Sequence, residues 1–282
     1  MAIEPTSIQR DRMLSFGKSK LTLIQFLTFK YPEDFNNYLA QTKQSAIKEG
    51  GSRIHQLIID QVLAGGEMPY QYLTVDNYPS SLALLQAHEA TRDIRQKTLI
   101  ESYAILVKPN PLFKKVAKGL GFLSPFLTNL LNTGEIKEIT DYSDIADPET
   151  GPYPETVQEL KLADQNHPFY MMNLDQFSPR NKQRTGGKDA YNQYSARILP
   201  YLVSVGGYPD IYGKILGTYI GDQKSELFNT WHDFALVYYP SRTHFLRLMT
   251  NTPRGAAEIR KAGLKKVVLM PCSKLKPHSL SI

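Results

Sequence analysis

Two kinds of hydrophobic spacing alternate along this chain, and their order repeats. From Lys20 to Phe29, Leu, Ile, Phe and Thr crowd together and Pro32 follows, which reads as a strand leading to a helix start. Glu33 to Lys48 carries Phe35, Tyr38, Leu39, Thr42 and Ala46 at helical spacing, and Gly50-Gly51 stops it. Ile54 to Leu63 and Tyr70 to Tyr78 read as strands, a helix opens near Pro79, and Ser102 to Val107 reads as a fourth strand. The order is β-α-β-β-α-β, that of a ferredoxin-like α+β sandwich.

The same order returns after residue 167. Phe169 to Phe177 reads as a strand and Asp189 to Val205 as a helix with Tyr191, Tyr194, Ile198 and Leu202 on one side, kinked at Pro200 and stopped by Gly206-Gly207. Strands follow at Ile211 to Ile220 and Trp231 to Tyr239, a helix opens at Pro240, and Lys265 to Met270 is the last strand. With the two Gly-Gly pairs superposed, Tyr38 falls on Tyr194, Phe35 on Tyr191, and Tyr78-Pro79-Ser80 on Tyr239-Pro240-Ser241. Anchors agreeing in order predict an internal duplication. The expected fold class is therefore α+β: two tandem ferredoxin-like domains, 20–109 and 167–272, joined by a linker or lid at 110–166. Each such unit leaves one sheet face bare, so the two bare faces are expected to pack together as an intrachain barrel around an apolar cavity.

Within the insert, Leu112 to Leu131 mixes Lys114, Lys115 and Lys118 with Phe113, Phe122, Phe126 and other apolar residues. That composition fits an interfacial membrane helix, but Gly119, Gly121 and Pro125 interrupt the face and favour a linker helix covering a groove or bridging the domains. The acidic, proline-containing part from Asp141 to Asn166 is expected to be a surface loop.

With 41% hydrophobic and 21% charged residues, the composition is that of a globular protein rather than a disordered one. The single Cys272 excludes an internal disulfide and any multi-cysteine metal site. His55, His88, His167 and His232 have no recognisable metal-ligand spacing, so no metal is expected. Met1 to Ser19 lacks the apolar core of a signal peptide, and no run approaches the roughly 20 apolar residues of a membrane span. A cytoplasmic protein is the expectation. The net charge of +6 would suit an anionic ligand or a membrane surface, solubility alone also accounts for it, and the diffuse excess is not a nucleic-acid signature; a small-molecule ligand is the expected partner, with a homodimer left open.

Period-two alternation sorts the strand residues into faces. The bulkier sets, such as His232, Phe234, Leu236 and Tyr238, are expected under the helices, and the sets holding Asn173, Trp231, Asp233 and Tyr239 in the cavity. Gln25 and Tyr72 stand at the first-half positions of Asn173 and Asp233. Asp233 is the candidate acid or base, desolvated beside Trp231; the alternative is a structural ion pair with Arg242 or a backbone cap. Arg242 would clamp a substrate carboxylate or enolate, or serve only as that partner. Asn173 and Tyr239 would donate to an oxyanion. Trp231, Tyr191, Tyr194, Gln25 and Tyr72 complete the candidate substrate-binding set. Gly186-Gly187-Lys188 lacks the full phosphate-loop spacing and reads as a flexible turn.

The strand with Asn173, the Gly206-Gly207 pair and Trp231-x-Asp233 leading to Tyr239-Pro240-Ser241-Arg242 resemble a domain-of-unknown-function family within the dimeric α+β barrel superfamily. The resemblance covers the second half nearly end to end and the first half in outline. It implies the barrel fold, and a function among unlike ones: cofactor-free oxygenases, polyketide cyclases, lactone isomerases, haem-degrading enzymes and haem-dependent dehydratases. The leading expectation is a small-molecule enzyme without a cofactor, performing cyclisation, isomerisation, dehydration or cofactor-free oxygenation on a hydrophobic or polyketide-like metabolite. Haem is the alternative cofactor, because Asn173, Trp231 and His244 echo the order of residues in haem-degrading relatives. A third alternative is a non-catalytic carrier of a hydrophobic ligand with Leu112 to Leu131 as its lid.

Overall fold

A computed structural model describes residues 2–66, 68–137, 150–152, 154–183 and 185–275. The first half contains α1 (Ser7–Leu14), β1 (Leu21–Phe29), α2 (Asp34–Lys48), β2 (Ser52–Ile59), β3 (Tyr72–Tyr78), α3 (Ser81–Glu89), α4 (Arg92–Thr98) and β4 (Leu99–Pro109). The insert holds α5 (Pro111–Leu120), α6 (Ser124–Leu130) and α7 (Pro154–Leu162). The second half contains β5 (Phe169–Phe177), α8 (Gly187–Ser204), β6 (Tyr208–Ile220), β7 (Asp233–Tyr239), α9 (Arg242–Thr250), α10 (Ala256–Gly263) and β8 (Leu264–Lys274).

The strands close into one barrel in the order β1-β3-β2-β8-β5-β7-β6-β4, so each half contributes a four-stranded antiparallel sheet of ferredoxin-like order. The halves join edge to edge. β2 meets β8 from Leu57 opposite Lys274 to Ile59 opposite Cys272, and β4 meets β6 from Ala104 opposite Ile220 to Pro109 opposite Gly213. Closure removes the exposed sheet edges that two separate sandwiches would present.

Both helix stops have the same local cause. Gly50 and Gly206 follow α2 and α8 with φ of +74° and +72°, the left-handed cap conformation that glycine tolerates best. A Cβ on the next glycine would lie 2.6 Å from the Asn77 carbonyl oxygen at Gly51 and 2.4 Å from Leu202 Cδ1 at Gly207. Each pair thus ends a helix and lets the chain pass tightly against its own packed layer. Pro200 lies within α8, which continues through it to Ser204.

The barrel interior is filled. Ile24, Phe26, Leu57, Val75, Ile105 and Tyr170, together with Met172, Phe234, Leu236, Val268 and Cys272, join one buried cluster drawn from the strands of both halves. The expected apolar hollow is replaced by a packed core, because eight strands make a barrel narrow enough for bulky side chains to fill. The face assignment is accordingly reversed. Phe234 and Leu236 point inward, while Phe169, Met171 and Tyr239 lie in a second cluster with Leu202, Phe245 and Leu246 of the helices.

The helices exceed the expected set: α4 and α10 each follow a first helix before the last strand of their half, and α1 and α7 are further additions. α1 was not anticipated; its Thr6 and Gln9 form a reciprocal capping box, and Met13 is fully buried. Part of the expected loop from Asp141 to Asn166 is α7, whose Val157 and Leu160, three residues apart, are both fully buried in the second cluster. Residues 141–149 and 153 of that segment lie outside the described residues.

A polar contact between His55 and Asp210 crosses the barrel. His55 Nε2 and Asp210 Oδ2 are 2.6 Å apart, joining β2 to β6 from opposite walls, and Lys114 of α5 reaches Asp210 Oδ1 at 2.6 Å. Burial raises the Asp210 carboxyl, but the hydrogen bonds from His55 and Lys114 outweigh it and hold the group at about 2, below its usual 3.8. The resulting stabilisation is present above pH 3.8 and is lost as pH falls through about 2. Asp210→Asn is therefore expected to lower stability at pH 7 by about 2 kcal/mol, a difference that shrinks toward zero in urea titrations at the acid end.

Candidate active site

Asp233 opens β7 and stands directly opposite Asp175 of β5, with both side chains on the helix-covered outer face. Each residue is only 1% exposed. Two carboxylates opposite one another on neighbouring strands repel, and their surroundings resolve the conflict differently. Asp233 is ion-paired to Lys188 Nζ, which lies 3.0 Å from Oδ2 and 3.3 Å from Oδ1, and accepts a 2.6 Å hydrogen bond from the Tyr212 hydroxyl. Asp175 has neither oxygen in a hydrogen bond of ordinary geometry. Burial raises its pKa from 3.8 to about 7; the charge of Asp233 adds to the rise, and the Tyr191 hydroxyl, Arg260 and Lys188 oppose it.

Local structure accounts for this assembly. Gly186-Gly187 does not serve as an independent turn: Gly187, with φ of +57°, is the first residue of α8, which puts Lys188 in the first helical turn over the strand ends. Tyr212 shares the outer face because it is registered against Ala235 of β7. An aromatic wall flanks the carboxylates. Phe177 stacks on His232 with ring centroids 5.5 Å apart, meets Tyr191 at 5.3 Å, and lies beneath Lys188 at 5.3 Å, while Tyr191 contacts Tyr194 at 5.8 Å. Arg260 of α10 sits over the Tyr194 ring at 6.0 Å. Burial drives the Tyr191 and Tyr212 phenols upward, and in both cases a neighbouring carboxylate adds to the effect.

The remaining expected residues do not join this cluster. Asn173 lies two residues before Asp175 but donates to the Met171 carbonyl of its own strand at 3.0 Å. Tyr239, at the far end of β7, stacks on Phe169 and meets Phe245 edge-on. Arg242 begins α9 and pairs with Asp60 rather than Asp233, at 2.5 Å, while also donating to the Asp164 carbonyl at 2.9 Å. Trp231 precedes β7 instead of belonging to it, so strand alternation does not govern it; it turns into the barrel cluster, where Nε1 has no partner among the described residues. In the first half, Gln25 lies under the helices beside Arg53, Asp76 and His88, and Tyr72 stacks on Phe35 at 4.0 Å.

These positions also test the haem alternative. Trp231 faces the barrel interior, and Asn173 is on the outer face bonded to its own strand. His244, its Nδ1 2.8 Å from Ser241 Oγ, borders an outer groove of about 240 Å³ with Ser124, Thr128, Thr133, Ser204 and Arg247. Trp231 is on the opposite side of the barrel wall from Asn173 and His244, so the three do not converge on one haem. No group of His, Cys, Asp and Glu suited to a metal ion occurs among the described residues. Cys272 is fully buried in the barrel core, where burial raises its thiol well above the usual range.

The closed order of eight antiparallel strands with helices outside defines an α+β barrel built within a single chain. No family model and no curated protein matches the sequence. Among solved structures, the chain is similar to a protein of unknown function from Rhodopseudomonas palustris, at 26% identity over 46% of this chain and 98% of that one, with a TM-score of 0.41. Chlorite dismutase from Candidatus Nitrospira defluvii is similar over 94% of both chains, at 7% identity and a TM-score of 0.46. A Lactobacillus acidophilus protein provisionally assigned as a monooxygenase is similar over 91% of this chain and 94% of that one, at 8% identity and a TM-score of 0.44. No helix among the described residues is long and apolar enough to cross a membrane.

Proposed function

We propose that the chain is a small-molecule enzyme that moves protons on an enolisable carbonyl compound, with Asp233 as base and Asp175 as acid and without a bound cofactor. The observation that carries this reading is the facing pair of buried carboxylates whose surroundings differ, one ion-paired and the other raised to about 7. A carboxyl group that holds its proton near neutrality is suited to returning a proton to carbon or oxygen. Lys188 and Tyr212 supply the donors that an enolate oxygen needs, a role first expected of Asn173, Tyr239 and Arg242. Lys188 is the solvent-facing member, with 39% of its side chain exposed, so a ligand approaches along it and shares its ammonium group with Asp233. Phe177, Tyr191 and His232 suit a planar, largely apolar substrate, and isomerisation, cyclisation and dehydration all begin with such a proton transfer. The matching element order of 20–109 and 167–272 supports a tandem duplication in which only the second copy keeps the carboxylate pair.

Deuterium exchange tests the reading directly. Incubated in D₂O with a panel of aromatic β-dicarbonyl compounds, the chain is expected to accelerate exchange of the acidic C–H over buffer, with a loss of at least about 100-fold in Asp233→Asn. Asp175→Asn should lose a comparable amount. Exchange no faster than buffer across the panel, or unchanged rates in both variants, would falsify the assignment.

A further inference from the structure

We infer that α5 and α6 form a docking surface for an anionic lipid membrane. The segment is amphipathic in the reverse sense to a core helix. Its polar groups bind the body of the protein: Lys114 holds Asp210, while Ser124 Oγ and Thr128 Oγ1 donate to the Ser204 carbonyl at 3.1 and 2.6 Å. Ala117, 2% exposed, is the residue packed inward from α5.

The apolar side chains face outward. Phe122 is 78% exposed, Leu130 65%, Phe126 63% and Leu112 61%, with Phe113 and Val116 less so. Phe126 and Leu130 are four residues apart on α6, as are Leu112 and Val116 on α5, and Phe122 stands in the single 3-10 turn that joins the two helices. Exposed large apolar side chains this close together in the chain mark an interaction surface rather than ordinary surface variation.

Charge identifies the occupant. No Asp or Glu occurs from Asn110 to Gly134, whereas Lys115 and Lys118 lie exposed in the same segment. Protein interfaces are depleted in lysine; helices lying in the plane of an anionic bilayer are enriched in it at the edges of an aromatic and aliphatic face. Gly119, Gly121 and Pro125, which break the segment into two short helices, let it follow a surface without requiring one straight face. The docking therefore places a lipid phase next to Tyr208 and β6, on which α5 rests.

Vesicle co-sedimentation of the full chain tests this. Binding is expected to phosphatidylcholine vesicles containing roughly 30% phosphatidylglycerol, to weaken with added salt, and to be at least about ten-fold weaker to phosphatidylcholine alone. Phe122→Ser with Phe126→Ser should reduce binding about ten-fold or more with unchanged circular dichroism. Lys115→Glu with Lys118→Glu, both at exposed positions although Lys118 also lies over the Tyr208 ring, should do the same and serves if the serine variant misfolds. The inference is overturned by an absence of binding to the anionic vesicles, or by binding that neither variant weakens. It is equally overturned by a dimer in light scattering that the serine variant dissociates and that never sediments with vesicles, since the patch would then join two copies of this chain.

Discussion

Replacing Arg53 with methionine is expected to lower the stability of the chain by about 3–5 kcal/mol, and adding Asp76→Leu to recover at least about half of that loss. Arg53 Nε and Nη2 bind the two Asp76 oxygens at 2.8 and 2.9 Å, and the side chains are 3% and 1% exposed. Burial pushes the Asp76 carboxyl upward and only Arg53 opposes that push. Removing the guanidinium leaves a carboxylate stranded between β3 and the helices, where neighbouring tyrosines add no charge to replace it. Removing both charges leaves no stranded ion, although Leu39 O and Thr42 Oγ1, which also accept from Arg53, lose a donor. Denaturant unfolding of the single and double variants measures the coupling. Additive losses would show that the two charges do not depend on one another.

That ion pair illustrates what the one-dimensional pattern reveals and what it conceals. Local patterns locate the elements well: Phe169–Phe177 is a strand with the expected ends, and both glycine pairs stop helices where expected. The barrel order follows, because two ferredoxin-like units with bare faces have few ways to cover them. The direction of each face does not. Assigning the smaller, more polar set to a hollow presupposes the hollow, and closure at eight strands instead draws the bulky set inward. The Asp175–Asp233 pairing depends on the β5–β7 register, and the His55–Asp210 contact joins residues 155 apart; neither leaves a local trace. Lys188 was legible as a position but not as a ligand, since its role comes from where α8 begins. A signal was available for α1 in the Thr6 and Gln9 capping spacing.

Asp175→Asn is expected to make the folded chain more stable at pH 8 by up to about 4 kcal/mol while removing exchange activity. The sign follows from the proton balance. Folded Asp175 keeps its proton to about pH 7, whereas in the unfolded chain it is released near 3.8, so the folded state binds more protons throughout that window. Stability therefore falls as pH rises from about 4 to about 7 and then levels, because above that point a charge must be held in a fully buried place. Asparagine has nearly the same shape and no proton to lose, so the variant should show a flatter pH dependence and match the parent near pH 4. Urea midpoints at pH 4, 5.5 and 8 decide the matter; a variant no more stable than the parent at pH 8 would remove the claim that Asp175 is held against its preference. A buried carboxyl group that weakens the fold at neutral pH, set opposite a second carboxylate, is the pattern expected of a site used for chemistry.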